Sequence, residues 1–250
     1  MKQEQALSPA APQDLWPALR SAAEKLCADD ASFAPWLQET ILDAAHVGDA
    51  LGRLLSQKLQ TLHFPAATFR DAYAALVIRD ADLPRKIAHD LQTVLHNDPA
   101  ACDALRPFLF FKGFHALQCH RLAHDLWHHG RRPLALLVQN RVSDLFAVDI
   151  HPAARIGSGI MFDHATGIVI GETAMVEDEV LFWHGVTLGG RAFAPEDRHP
   201  KVRKGAQIGA GATILGNIEI GAGAKIAAGS IVVKSVPAGA TAAGIPAKVI

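Results

Sequence analysis

The chain has 250 residues, of which 50% are hydrophobic, 20% charged and only 6% aromatic, with 24 Lys and Arg set against 25 Asp and Glu. A formal charge of -1 argues against a polyanion-coating role, which calls for a basic excess. The length can bury a sizeable core without covalent staples. Cys27, Cys102 and Cys119 are odd in number and widely spaced, with no disulfide framework and no C-x-x-C pair, which points to a reducing cytoplasm. The first fourteen residues carry Glu4, Asp14 and two prolines and resemble neither a signal peptide nor a membrane start. The apolar run from Ala72 to Ile78 is far short of the roughly twenty residues a bilayer demands, so a soluble chain with no membrane partner is expected.

Up to residue 147 the apolar residues recur at helical intervals. Leu15, Leu19, Ala22 and Leu26 form one stripe, and Leu51, Leu54, Leu55 and Leu59 a second. Phe114, Leu117, Leu122 and Leu126 form a third, and Leu134, Leu137, Val138, Val142 and Leu145 a fourth. Breakers stand at Asp29-Asp30 to Pro35, at Phe64-Pro65, at Asp98-Pro99 and from Gly130 to Pro133. The pattern predicts six to eight amphipathic helices between residues 13 and 147.

From Val148 onward the interval is six. Ile150, Ile156, Phe162, Ile168, Ala174, Val180 and Val186 follow one another at that spacing. Val202, Ile208, Ile214, Ile220, Ile226, Val232 and Ala238 resume it after an interruption. Six is neither the helical period nor strand alternation, and it predicts a β-helix of short segments with one aliphatic residue inward per segment. The rhythm fails between residues 189 and 201, which predicts a loop extruded from the coil.

Thirteen histidines need sorting. His120, His124 and His128 share one helix face, but no carboxylate or cysteine at matching spacing accompanies them, and a polar helix face is the expectation. In the repeat half, His151, His164, His184 and His199 interrupt a small and apolar composition. A carboxylate beside a histidine can fix one ring proton and leave the other nitrogen basic, which makes Asp149 and His164 a candidate pair. Spacing alone leaves open that each is only a corner residue satisfied by backbone. The Gly209-Ala210-Gly211 element carries no nucleotide signal, because the repeat already explains it.

The segments Asp-Ile-His-Pro-Ala-Ala from Asp149, Asp-His-Ala-Thr-Gly from Asp163, Gly-Glu-Thr-Ala from Gly171, Val-Thr-Leu-Gly-Gly from Val186, Asp-Arg-His-Pro-Lys from Asp197 and Thr-Ala-Ala-Gly-Ile-Pro-Ala from Thr241 occur in this order. Together with Asp98-Pro99-Ala100 and Lys112 to Gln118, they resemble the serine O-acetyltransferases of the hexapeptide-repeat acyltransferase superfamily. The resemblance implies an α+β chain: an α-helical oligomerisation domain over 1–147, then a left-handed parallel β-helix over 148–250 with its loop at about 189–201. It implies acetyl transfer from acetyl-CoA to L-serine in cysteine biosynthesis, with acetyl-CoA as co-substrate, no tightly bound cofactor and no metal. Under it His164 is the base and Asp149 its orienting partner. Arg198 and His199 grip the serine carboxylate, Asp98 and Asp163 face its ammonium, and Glu172 belongs to the same substrate-binding set. Gly190, Ala210 and Ala228 line the pantetheine slot between two neighbouring β-helices. A trimer follows, with helical domains joining two trimers into a hexamer, and L-cysteine is the expected feedback inhibitor.

Two features depart from the pattern. Arg191-Ala192-Phe193 replaces the usual continuation of the loop's glycine pair, and Ile250 follows the last coil without the tail that docks cysteine synthase, which argues against that complex. A histidine-metal carbonic anhydrase on the same repeat would require an H-x-x-x-x-H pair, and none lies between His151 and His199. A non-catalytic scaffold would have no need of Asp163, His164 and Arg198. Homoserine stays open as an acceptor.

Overall fold

The computed structural model describes residues 15–191 and 196–250; Met1–Asp14 and, in the loop, Ala192 and Phe193 lie outside the described residues. Helix α1 (Leu15–Asp29) buries Leu15, Leu19 and Ala23. Asp30 then caps a single 3-10 turn, its carboxylate accepting from Ser32 N at 3.0 Å. The chain passes through α2 (Ala34–Leu37) and a π turn into α3 (Val47–Leu59), whose first turn is capped by the His46 ring. Helices α4 (Ala66–Arg79), α5 (Leu83–Asn97), α6 (Leu105–Phe110), α7 (Lys112–His128) and α8 (Arg132–Phe146) follow, with Pro84 and Pro133 in the first turns of α5 and α8. Proline is tolerated there because those N–H groups have no intrahelical partner. The fourth stripe rotates slightly from expectation. Ala135, Val138, Val142 and Phe146 are buried in α8, whereas Leu145 is exposed.

At Ala147 the backbone turns left-handed (φ 55°), and the helices give way to short parallel strands in three sheets. The first face holds β1 (Val148–Ile150), β4 (Ile168–Ile170), β7 (Thr187–Gly189), β10 (Thr213–Leu215) and β13 (Ile231–Val232). The second holds β2 (Arg155–Ile156), β5 (Met175–Val176), β8 (Lys201–Val202) and β11 (Glu219–Ile220). On the third lie β3 (Met161–Phe162), β6 (Leu181–Phe182), β9 (Gln207–Ile208), β12 (Lys225–Ile226) and β14 (Thr241–Gly244). A last strand, β15 (Ala247–Val249), folds back antiparallel on β14. The result is a three-faced parallel β-solenoid filled by columns of aliphatic side chains, such as Ile170, Leu188, Ile214 and Val232.

The six-residue count hides a slip. Ile150 pairs with Ile170, twenty residues on, while Ile170 pairs with Leu188, eighteen on. Ile150, Ile156 and Phe162 therefore lie within strands, whereas Ile168, Ala174, Val180 and Val186 sit at strand starts or corners. The two extra residues fall between Phe162 and Ile168, where His164 (φ 55°) and Ala165 (φ 57°) are both left-handed. Longer still is the coil from Leu188 to Ile214, at twenty-six residues, and its excess is the extruded loop.

The two halves share one core. Helix α7 lies so close to the first coil that a Cβ on Gly113 would fall 2.1 Å from the Phe162 carbonyl oxygen, so only glycine fits. Nearby, the fully buried Asp90 accepts from Gln118 Nε2 (2.8 Å), Arg121 Nη2 (2.6 Å) and Ile160 N (3.1 Å). Arg121 Nη2 also donates to the Gly157 carbonyl at 2.9 Å. Both oxygens of the buried Asp90 carboxylate are thus paired, as a buried charge requires, although Arg121 Nε and Gln118 Oε1 are buried without a partner.

Candidate active site

The solenoid has three edges, and the residues expected to form one site occupy two of them. The edge between the third and first faces carries Asp163, His164, His184, Ala210 and Ala228. The edge between the first and second faces carries His151, Glu172, Thr173, Gly190, Arg198 and His199.

At the first of these edges the tight turn holds Ala165 inside the coil and leaves the His164 side chain 80% exposed, with Nε2 3.9 Å from Asp163 Oδ1. Its backbone is braced by Ala165 N to the Asp163 carbonyl (2.6 Å), Thr166 N to the His164 carbonyl (2.7 Å) and Gly167 N to the Ala147 carbonyl (2.7 Å). Lys112 Nζ, from the start of α7, donates to Thr166 Oγ1. Asp98 ends α5, accepts from Ala100 N at 2.8 Å, and lines a cavity of about 390 Å³ together with Asp163, His164, Trp183 and Gln207. Asp98, Asp163 and His164 are thus brought together. His184, whose ring lies 6.2 Å from that of His164, stands one coil on in the same corner. Counting by eighteen misses that alignment, because this coil is two residues longer.

Asp149 does not meet His164 within the chain. It is the middle residue of β1, its side chain turns toward α8, and its Oδ1 accepts from Gln139 Nε2 at 2.7 Å. Instead its charge is felt by His151, as are those of Glu172 and Arg198, although burial is what chiefly holds that imidazole below its ordinary pKa.

Three consecutive residues organise the second edge. Gly171 gives the His199 ring its seat, since a Cβ there would fall 2.0 Å from Nε2. Glu172 Oε2 pairs with Arg198 Nη2 at 2.7 Å, and this bond keeps the Glu172 carboxyl below the usual range. Thr173 Oγ1 accepts from Arg198 N (3.0 Å) and His199 N (3.1 Å) and lies 2.9 Å from His199 Nδ1, which also accepts from Thr173 N at 3.2 Å. Nδ1 is therefore the unprotonated nitrogen and Nε2 carries the hydrogen. Burial, reinforced by Arg198 and Lys201, lowers the His199 pKa, so this imidazole is a neutral donor and not a base. Gly190 packs against Arg198, a Cβ there lying 3.3 Å from its Cγ. Thr173 has no individual role legible from its motif, although it stands inside the Gly-Glu-Thr-Ala segment from Gly171.

Ala210 and Ala228 stack as expected: their strands pair with an eighteen-residue register, and the Ala210 carbonyl accepts from Gly229 N at 2.8 Å. Gly190 lies on the other edge and does not join them in one chain. The His120, His124 and His128 rings are contiguous, at 5.8 Å and 4.4 Å, but His124 Nδ1 is engaged by the Pro152 carbonyl. Among the described residues no three His, Cys, Asp or Glu side chains are placed to hold a metal. No described helix is long and apolar enough to cross a membrane.

Residues 15–119 match the family "Serine acetyltransferase, N-terminal", and residues 199–234 match "Bacterial transferase hexapeptide (six repeats)". A serine acetyltransferase of Haemophilus influenzae is 48% identical over 95% of this chain and 89% of its own length. Among solved structures, a serine acetyltransferase from Brucella abortus in complex with coenzyme A superposes with a TM-score of 0.93 at 44% identity, covering 96% of each chain. A serine acetyltransferase in complex with cysteine does so at 0.94 and 47% identity, covering 95% of this chain and 99% of that one.

Proposed function

Because the chain belongs to the serine acetyltransferase family, we propose that His164 is the general base of a site shared between neighbouring protomers. The reaction is transfer of acetyl from acetyl-CoA to the hydroxyl of L-serine, an acyl transfer in cysteine biosynthesis, with acetyl-CoA as co-substrate. One observation carries the shared site. The carboxylates of Asp98 and Asp163, with His164 beside them, and the carboxylate-holding pair of cationic Arg198 and neutral His199 lie at different edges of one solenoid. Serine is a zwitterion and needs both. A threefold ring of parallel solenoids sets one edge of each chain against another edge of the next, and so unites them.

Within that seam Arg198 and the Nε2–H of His199 hold the carboxylate, beside Glu172, which aligns Arg198. Asp98 and Asp163 face the ammonium. His164, on the exposed face of its turn, takes the serine hydroxyl proton as the oxygen attacks the thioester carbonyl. The tetrahedral intermediate collapses, the C–S bond breaks, and the imidazolium returns its proton to the departing CoA thiolate. Asp149 orients a neighbouring protomer's His164, since in its own chain it is held by Gln139. Pantetheine runs along the seam between the Ala210 and Ala228 column and Gly190 of the adjacent chain. Cys119 is no acyl carrier, since it is buried and its pKa is pushed up to about 12, which leaves it no thiolate for an acyl-enzyme. Cysteine is the same zwitterion with a thiol for the hydroxyl, and the same clamp takes it as a feedback inhibitor.

The test is subunit mixing. His164→Asn and Arg198→Ala chains are co-refolded in equal amounts and assayed for CoA release at limiting serine. A shared site regains about a quarter of parental sites, because each seam draws its two halves from different chains. Activity no greater than the sum of the separate variants refutes the shared site.

A further inference from the structure

We propose that the hydroxyl of Thr173 is the positioning element of the carboxylate clamp, fixing both the direction of Arg198 and the tautomer of His199. The proposal rests on the assignment of Arg198 and His199 as the groups that hold the serine carboxylate. A hydroxyl has two acceptor sites and one proton. Both acceptor sites of Thr173 are filled, by Arg198 N at 3.0 Å and His199 N at 3.1 Å, and its proton faces His199 Nδ1 at 2.9 Å, with the Asp197 carboxylate also in reach. The Thr173 amide adds a second bond to that same nitrogen at 3.2 Å. Further down, the Thr173 carbonyl accepts from Lys201 Nζ at 2.7 Å, where the chain leaves the loop and enters β8. One residue of the second coil thus catches the returning loop at Arg198, His199 and Lys201.

The consequence for His199 is chemical as well as mechanical. With Nδ1 committed as an acceptor, Nε2 must carry the hydrogen, and it is Nε2 that lies over Gly171 and within 3.5 Å of a Cβ built on Gly190, at the mouth of the loop. Without the hydroxyl, the ring has one fewer bond enforcing that tautomer, and the two backbone N–H groups lose their acceptor. Arg198 keeps Glu172 but loses the fixed main chain from which its side chain is aimed.

The experiment compares the full-length parent with Thr173→Val, Thr173→Ser, Thr173→Ala and Arg198→Ala, measuring KM for serine, KM for acetyl-CoA and kcat by CoA release, with thermal melts alongside. Thr173→Val and Thr173→Ala should raise the serine KM about ten-fold, the loss of one hydrogen bond to a charged group, with the acetyl-CoA KM unchanged. Thr173→Ser, which keeps the hydroxyl, should stay within about two-fold of the parent. A parental serine KM in both Thr173→Val and Thr173→Ala, alongside a raised KM in Arg198→Ala, overturns the positioning role and leaves the clamp standing. Equal damage in Thr173→Ser overturns it too, since the methyl and not the hydroxyl would then matter. A parental serine KM in Arg198→Ala removes the clamp itself. Because the alanine variant adds no bulk, a valine chain that fails to fold leaves the comparison intact.

Discussion

Gly171→Ala is the most pointed test of how the second edge is built. Its φ lies outside the left-handed region, so the backbone itself accepts alanine. The added methyl, however, would lie 2.0 Å from His199 Nε2, 2.1 Å from Cδ2 and 2.7 Å from Cε1. Ordinary contact needs well over 3 Å, so the ring must leave its seat by more than an ångström, and with it go the bonds from Nδ1 to Thr173. A donor bond to a carboxylate contributes about 1.5–3 kcal/mol, which converts to a fall in kcat/KM for serine of roughly ten- to a hundred-fold. Overpacking adds a stability cost of about 1–3 kcal/mol, visible as a lower urea midpoint. The assay is steady-state CoA release with serine varied at saturating acetyl-CoA, then the reverse, on chains shown to be folded at the assay temperature. Parental kcat/KM for serine would refute the seating of His199, and a defect confined to acetyl-CoA would assign the ring to the other substrate.

Replacing His164 by Asn should lower turnover by about a hundred- to ten-thousand-fold while coenzyme binding persists; asparagine is the better probe because it tolerates the left-handed backbone at this position. Near-parental turnover, measured by CoA release, removes His164 as base. Acid stability offers an independent check on the helical half. His115 is buried, with Nε2 bonded to the Phe108 carbonyl, and burial lowers its pKa from 6.5 to about 4. The unfolded chain therefore takes the proton first: stability is unaffected above pH 6.5 and falls as the pH drops toward 4, by about 3 kcal/mol for this one group. Urea melts should show that slope, and a His115→Gln chain, which cannot charge, should show a shallower one; equal slopes would refute the assignment.

Much of this was legible in the residues. Helical stripes and their breakers located the helices, and the six-residue interval located the solenoid. Fine phase was not legible. Leu145 fits the stripe numerically, yet α8 turns Phe146 inward instead, because the chain must reverse at Ala147 to enter β1. The slip at the His164 corner was invisible because aliphatic residues occupy both strand and corner columns, so a count by six stays apolar whichever column it lands in. Long-range partners were equally hidden: nothing in the composition ties Gln139 to Asp149, or Asp90 to Ile160 N, since both depend on where helices land on the coil. Arg198 and His199 were recognisable from the motif, but Thr173, twenty-five residues before Arg198, becomes their neighbour only through the coil's return.

The open rim of the first coil bears on solubility. A stack of parallel strands ends in bare peptide groups that would template another copy end to end. Here α7 lies across that rim, with Gly113 pressed to the Phe162 carbonyl, and Arg121 occupies the carbonyl of Gly157. The helical half is thus a lid on a structure otherwise primed for fibre growth. Cutting the chain at the helix–strand junction would uncover that lid's seat and trade a discrete particle for a sticky one.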